Sequence, residues 1–210
     1  MVGREMDKYA LGLDYGTNSC RSLLVNLNTG AEMGSVVFPY PSGELGILTT
    51  KDPNVARQNP QDYLDGLEAI ITGAIDQAKQ ADPGFEPANV VGIGIDTTGS
   101  TPMPVDADGT PLGLKPEFRE NLDAMVWLWK DHTGHNEAAK ITQIAAKERP
   151  QYLAKCGGIY SSEWWWSKIW RCKNVAPEVF AAAHSWVEHC DWLPAVLTDN
   201  TKPETMARGV

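Results

Sequence analysis

Two stretches, LGLDYGTNSCRSLLV at Leu11–Val25 and NVVGIGIDTTGSTPMPV at Asn89–Val105, constrain this chain more than any other feature. In each, an apolar run of strand length ends in an aspartate, Asp14 or Asp96, and passes into a turn built of glycine, threonine and serine. Apolar runs bounded by such turns read as strands. GTNS joins YALGLDYG to CRSLLVNL as a hairpin, and the NTG at 28–30 leads into a third strand near Glu32–Tyr40. Between the two acids lies NPQDYLDGLEAIITGAIDQAKQ, whose apolar residues at 63, 64, 67, 70, 71, 74, 75 and 78 follow the period of an amphipathic helix. Asn59 is placed to cap it, with Pro60 at its first position. The run ending in Asp96, with its interior glycines, then suits a buried strand parallel to its neighbours. The first hundred residues therefore predict β-β-β-α-β, the start of an α/β domain with a mixed sheet.

From about residue 119 the pattern becomes mostly helical: NLDAMVWLWKDHTGHNEAAKITQIAAKE, SSEWWWSKIWRCKN and PEVFAAAHSWVEHCDWLPAVLTD, separated by turn signals at Gly134, Gly157-Gly158 and Pro177. Trp166 and Trp170, four apart, share a helix face and read as core.

The chain has 210 residues and a net charge of -9, with its 18 basic residues scattered. That disfavours nucleic acid or an anionic membrane as the main partner but leaves room for a locally held phosphate. No apolar run approaches the roughly 18 residues of a membrane span, and no secretory signal is visible. Cys20, Cys156, Cys172 and Cys190 lack CxxC spacing and read as reduced thiols in a cytoplasmic protein. His132 and His135 lack the spacing of a zinc site, and neither a GxSxG elbow nor a GxxxxGK[ST] loop occurs.

The strand-end acids carry the chemistry. Gly16 allows a close backbone approach, and successive N–H groups in the turn at Thr17–Ser19 can cradle an anion. Arg21 is placed to offer a fixed positive charge to a terminal phosphate. A carboxylate beside phosphate-binding amides makes sense with a hydrated magnesium ion between them. Taken alone, DYGTNS is equally a plain hairpin turn. The second acid decides: if the two strands are neighbours, Asp14 and Asp96 reach the same end of the sheet, where α/β sheets bind ligands.

Together with VWLWKDHT and GGIYSSEWWWSKIWRCKN, the two stretches resemble the N-terminal domain of FGGY-family carbohydrate kinases, and the likeness runs from Tyr9 to Val210. TTGST and WKDHT carry it more specifically than DxGT, which the wider actin-like ATPase superfamily shares. The resemblance implies an actin-like (ribonuclease H-like) domain over residues 1–210, with ATP and Mg2+ as cofactors and a sugar as substrate. It gives Asp14 to magnesium, Gly16, Thr17 and Asn18 to phosphate, and Arg21 to the transferred phosphoryl group. Gly99, Ser100 and Glu163 fall where family members touch the sugar, and Trp129, Lys130 and Asp131 are further candidates for that pocket. Trp127 and Trp164 are alternatives to Trp129 as its aromatic wall.

The implied acceptor is a ketopentose, ribulose first, with xylulose, ribitol or glycerol as alternatives. The family's catalytic base and adenosine-binding domain lie beyond position 210, so these residues alone are expected not to turn over, and a face meant for the second domain would favour self-association. Two other classes stay open: a sugar-binding module without chemistry, and a metal-dependent nuclease, which would need more clustered acids and a basic surface.

Overall fold

A computed structural model describes residues 7–209. The backbone divides into two compact units, the first made of the residues up to Pro41 with Gln61–Thr97, the second of Ser42–Pro60 with the residues from Thr98 onward.

In the first unit, β1 (Tyr9–Tyr15), β2 (Ser19–Asn26) and β3 (Glu32–Pro39) form an antiparallel meander, as the two turn signals predict. A helix, α1 (Pro60–Ala81), which follows β4 (Arg57–Gln58) of the second unit in the sequence, leads to β5 (Val90–Thr97), a strand parallel to β1. The sheet order is β3-β2-β1-β5. Alternation along β1 sends Tyr9, Leu11, Leu13 and Tyr15 into the core. On β2 the buried set includes Ser22, whose hydroxyl donates to the Ile70 carbonyl of α1 at 2.7 Å. Glycine sets how closely the helix lies. A Cβ at Gly34 would stand 2.4 Å from the Ala74 carbonyl oxygen, and one at Gly66 would stand 2.5 Å from Cys20 Sγ.

One expectation for this unit fails. β5 is parallel but not buried: it has one strand neighbour, and Val91 and Ile93 are 60% and 48% exposed. The contacts of α1 at Cys20, Ser22, Gly34 and Val36 lie on β2 and β3, and the apolar run of β5 stands at the sheet's edge.

The second unit holds two small antiparallel ladders. β4 (Arg57–Gln58) pairs with β7 (Val126–Trp127), and β6 (Pro102–Val105) pairs with β8 (Ser185–Glu188). Prolines at 102 and 104 leave β6 amide donors on one edge only, which suits a two-stranded ladder. The helices are α2 (His135–Glu148), α3 (Pro150–Lys155), α4 (Trp165–Val175), α5 (Pro177–Ala182) and α6 (His189–Leu197). Gly134, Gly157-Gly158 and Pro177 do mark breaks, yet the mostly helical reading is corrected at both of its ends. Residues 122–131 form a short 3-10 turn, β7 and a loop, and SWVE is a strand. Trp186 and Val187, two strand-forming residues, stand among helix-forming neighbours that hide the strand in the sequence.

Trp166 is corrected too, while Trp170 stays half-buried. The inward stripe of α4 is Trp165, Ile169 and Cys172, continued by Ala176, and it packs with Leu112, Trp127, Val179 and Trp186. Trp166, one position off that stripe, is 62% exposed, and Trp170 carries Lys140 Nζ 5.8 Å from its ring centre.

Candidate functional site

A polar hollow in each unit gathers candidate site residues, and the two are built in different ways. In the first, parallel register sets Asp14 opposite Asp96, and antiparallel register sets Asp14 opposite Arg21. The two acids thus end neighbouring strands side by side, as the paired turns predict. Arg21 Nε lies 3.1 Å from Asp14 Oδ2, with both side chains about half exposed (53% and 47%). A pair this open contributes little to stability and can exchange partners readily. Around it is a hollow of about 680 Å³ lined by Gly12, Asp14, Arg21, Ser22, Gly94 and Asp96 among others. Gly12 and Gly94 are register partners and give it a floor without side chains.

The turn itself is tighter than the sequence alone indicates. The Gly16 amide donates to the Ser19 carbonyl at 3.0 Å, and the Asn18 carbonyl accepts from the Tyr40 amide at 3.0 Å. Gly16 therefore does not offer its N–H to a phosphate. Its lack of a side chain makes room instead for the guanidinium of Arg21, whose Nη2 would lie 3.3 Å from a Cβ there. Thr17 and Asn18 form the tip of the turn. Two strand-end carboxylates in register, Asp14 and Asp96, fit a hydrated magnesium ion, which takes one or two carboxylates and keeps its waters.

The second unit's hollow, about 510 Å³, is lined by Ser100, Tyr160, Trp164, Glu188, Asp191 and Arg208 among others. Tyr160 and Trp164 meet edge to face at 5.1 Å between ring centres, an apolar wall opposite the polar groups. Glu188 holds residues 100 and 101 with one oxygen each: its Oε1 accepts from the Ser100 hydroxyl at 2.9 Å and its Oε2 from the Thr101 amide at 2.7 Å. Burial pushes the Glu188 carboxyl above its ordinary pKa, opposed by those two hydrogen bonds and by the charge of Lys168.

Lys168 is fully buried and donates to the carbonyls of Ser100 at 2.7 Å and Leu128 at 2.8 Å. Desolvation pulls its pKa down to about 7, against the attraction of Asp131 and Glu188.

Of the residues singled out for the sugar, Ser100 lines this hollow, and a Cβ at Gly99 beside it would meet nothing within 4 Å. Trp164, rather than Trp127 or Trp129, supplies the aromatic wall. Trp127 is core, and Trp129 is 38% exposed and offers its carbonyl to Lys168 at 3.4 Å. Lys130 is half-buried and outside the lining. Glu163 stands by His132, its Oε1 3.6 Å from the ring Nε2.

Asp131 is corrected outright as a sugar contact. It is fully buried; one oxygen accepts from the Ala56 amide at 2.8 Å and pairs with Arg57, while the other accepts from the hydroxyl of Thr133 at 2.6 Å. Arg57 in turn stacks 3.4 Å over the Trp127 ring and reaches Asp123 at 3.2 Å. Such a network fixes a loop and has no oxygen left over for a ligand.

Sequence reasoning missed Lys168, Glu188, Asp191 and Arg208. Glu188 carried a signal: SWVE is an apolar run ending in an acid, the pattern that marks Asp14 and Asp96. Lys168 carried none, because its neighbours in α4 are tryptophans and its partners lie 40 and 68 residues away.

The model of the FGGY family of carbohydrate kinases, N-terminal domain, matches residues 9–207. Curated relatives include a ribulokinase of Vibrio parahaemolyticus, 42% identical over 97% of this chain and 35% of the relative. A ribulokinase of Geobacillus thermodenitrificans is 39% identical over 89% of this chain and 33% of the relative. This chain thus spans about a third of the length of the curated relatives it matches. Among solved structures, xylulose kinase from Rhodospirillum rubrum superposes with a TM-score of 0.69 at 19% identity, covering 90% of this chain and 34% of that one. Plasmodium falciparum glycerol kinase with ADP gives 0.66 at 17% identity, covering 93% and 36%. At such identities the likeness is one of fold, the actin-like arrangement of these kinases.

Proposed function

The chain belongs to the FGGY family of carbohydrate kinases, as an N-terminal domain, and on that premise we propose that it holds the acceptor sugar and the terminal phosphates in an ATP-dependent phosphorylation of a ketopentose, L-ribulose before xylulose, ribitol or glycerol. The observation that carries the reading is the register match of Asp14 and Asp96 beside Arg21. Transfer of a phosphoryl group needs positioning and neutralised charge more than covalent help, and this arrangement supplies both kinds of charge at one strand end. Asp14, with Asp96 beside it, would hold magnesium, which when bound neutralises phosphate oxygens. Arg21 would turn from Asp14 towards the transferred group. Thr17 and Asn18 would meet phosphate at the tip of the turn.

In the second unit, the Ser100 hollow combines an aromatic wall with carboxylates and an arginine, the mixture a small polyol requires. We assign Ser100, Gly99 and Trp164 to the sugar there; Glu163, Trp129 and Lys130 stand outside the lining of the hollow. The preference for ribulose rests on the names of the curated relatives, and the solved neighbours with other acceptors keep xylulose and glycerol in view. The group that takes the hydroxyl proton we place in the part of the relatives' length that this chain does not cover. Titration calorimetry of the chain with L-ribulose, D-xylulose, ribitol and glycerol tests the reading: L-ribulose should bind most tightly, and equal or absent heats for all four would refute it. With magnesium ATP and ribulose, the same chain should release no ADP above the enzyme-free rate.

A further inference from the structure

Ser100 is gripped from two sides by side chains of different elements, Lys168 of α4, which is fully buried, and Glu188 of β8, which is half-buried. On one side, Glu188 at the end of β8 takes its hydroxyl and the next amide. On the other, Lys168 takes its carbonyl at 2.7 Å and ties it to the 127–129 segment, whose carbonyls lie at 3.5, 2.8 and 3.4 Å. Four carbonyl oxygens surround one ammonium that is out of solvent. We propose that Lys168 is a positioning residue for the sugar, acting through Ser100: it sets the 98–101 turn against the wall of the hollow, and Glu188 completes the bracket. The proposal rests on the reading of the Ser100 hollow as a polyol site.

The geometry makes the grip sensitive to one proton. An ammonium has three N–H donors for these carbonyls, whereas a neutral amine has two and turns a lone pair towards oxygen. The charged groups around Lys168 are Asp131 from the loop after β7, Glu188 from β8, Glu163 before α4, and Arg57 from β4. Asp131 is engaged by Arg57, so its pull on Lys168 is shared. Lys168 is accordingly charged below about pH 7 and neutral above it, and the bracket loosens as pH rises.

Hydrogen exchange at the Thr101 amide and titration with L-ribulose, both from about pH 6 to about pH 8.5, test this on the wild-type chain and on Lys168→Met, a neutral side chain of similar length. Wild-type affinity should fall several-fold across that range, while Thr101 exchange, corrected for its intrinsic pH dependence, should rise. Lys168→Met should bind about tenfold more weakly at the acid end and show no pH dependence. A variant that binds L-ribulose as tightly as wild type, with the same pH profile, overturns the positioning role and leaves the sugar reading standing. Thr101 exchange that responds to pH in a chain giving no heat with L-ribulose overturns the sugar reading and the positioning role with it. Should circular dichroism show that Lys168→Met does not fold, the wild-type profile decides: flat affinity across the range refutes the proposal.

Discussion

The two hollows hold their polar groups by opposite means. In the sheet unit, Asp14, Arg21 and Asp96 stand at strand ends, open to solvent, and are aligned by backbone register. In the second unit, Ser100 is held by Lys168 and Glu188, and the loop after β7 by Arg57 and Asp131, side chains that are largely or wholly out of solvent. The Asp14–Arg21 pair sits where an ion pair is weak and exchanges partners readily. Groups that shape the Ser100 hollow are locked by buried charge, which is costly to disturb. Substitutions should therefore divide into those that unfold the chain and those that leave it folded but unable to bind.

The largest effect should come from Asp131→Ala. It leaves the Arg57 guanidinium buried without its main partner and should cost about 3–5 kcal/mol, read as a lower urea midpoint. A loss under about 1 kcal/mol would mean that the second unit is not locked by this pair. Next, Gly34→Ala should cost about 1–3 kcal/mol, because its methyl would meet the α1 backbone at Ala74 rather than a yielding side chain.

A smaller, pH-dependent effect belongs to Lys168. Its folded pKa of about 7 lies below the ordinary 10.5, so between those values the unfolded chain binds more protons than the folded one. Stability of the wild type should rise with pH through that window, by up to about 1.4 kcal/mol per unit from this group, and Lys168→Met should remove that slope. Urea melts at about pH 7 and about pH 9 check it. Smallest of all, Asp14→Asn should change stability by less than about 1 kcal/mol, since it breaks only an exposed pair, while abolishing any magnesium-dependent binding of ATP. A large stability loss there would erase the contrast between the hollows.

The same contrast explains what could be read from the sequence. The sheet unit was legible because its determinants are local: alternation fixes β1 and β2, NTG fixes the hairpin, and eight apolar positions at helical spacing fix α1 from Pro60 onward. Asp14 and Asp96 declared themselves as acids interrupting apolar runs. The exposure of β5 was not legible, because a parallel edge strand and a buried one share the same apolar composition. In the second unit the decisive pairs, Arg57 with Asp131 and Ser100 with Glu188, are 74 and 88 residues apart. Nothing local marks them. Asp131 attracted a sugar assignment because an acid after an apolar run looks like a site, and its Arg57 partner lay beyond any helix or hairpin spacing. SWVE was hidden among helix formers until Pro102–Val105 supplied a partner strand.

The central claim is that strand-end acids in one unit meet magnesium and phosphate while the bracketed hollow in the other meets the sugar. Amide chemical-shift mapping of the labelled chain tests it most directly, with L-ribulose and magnesium ATP added separately. Ribulose should shift Ser100, Thr101, Trp164 and Glu188 and leave the strand ends unmoved, while magnesium ATP should shift residues 14–21 and Asp96. Ribulose shifts centred on Asp14 and Asp96, or none at Ser100, would contradict the account.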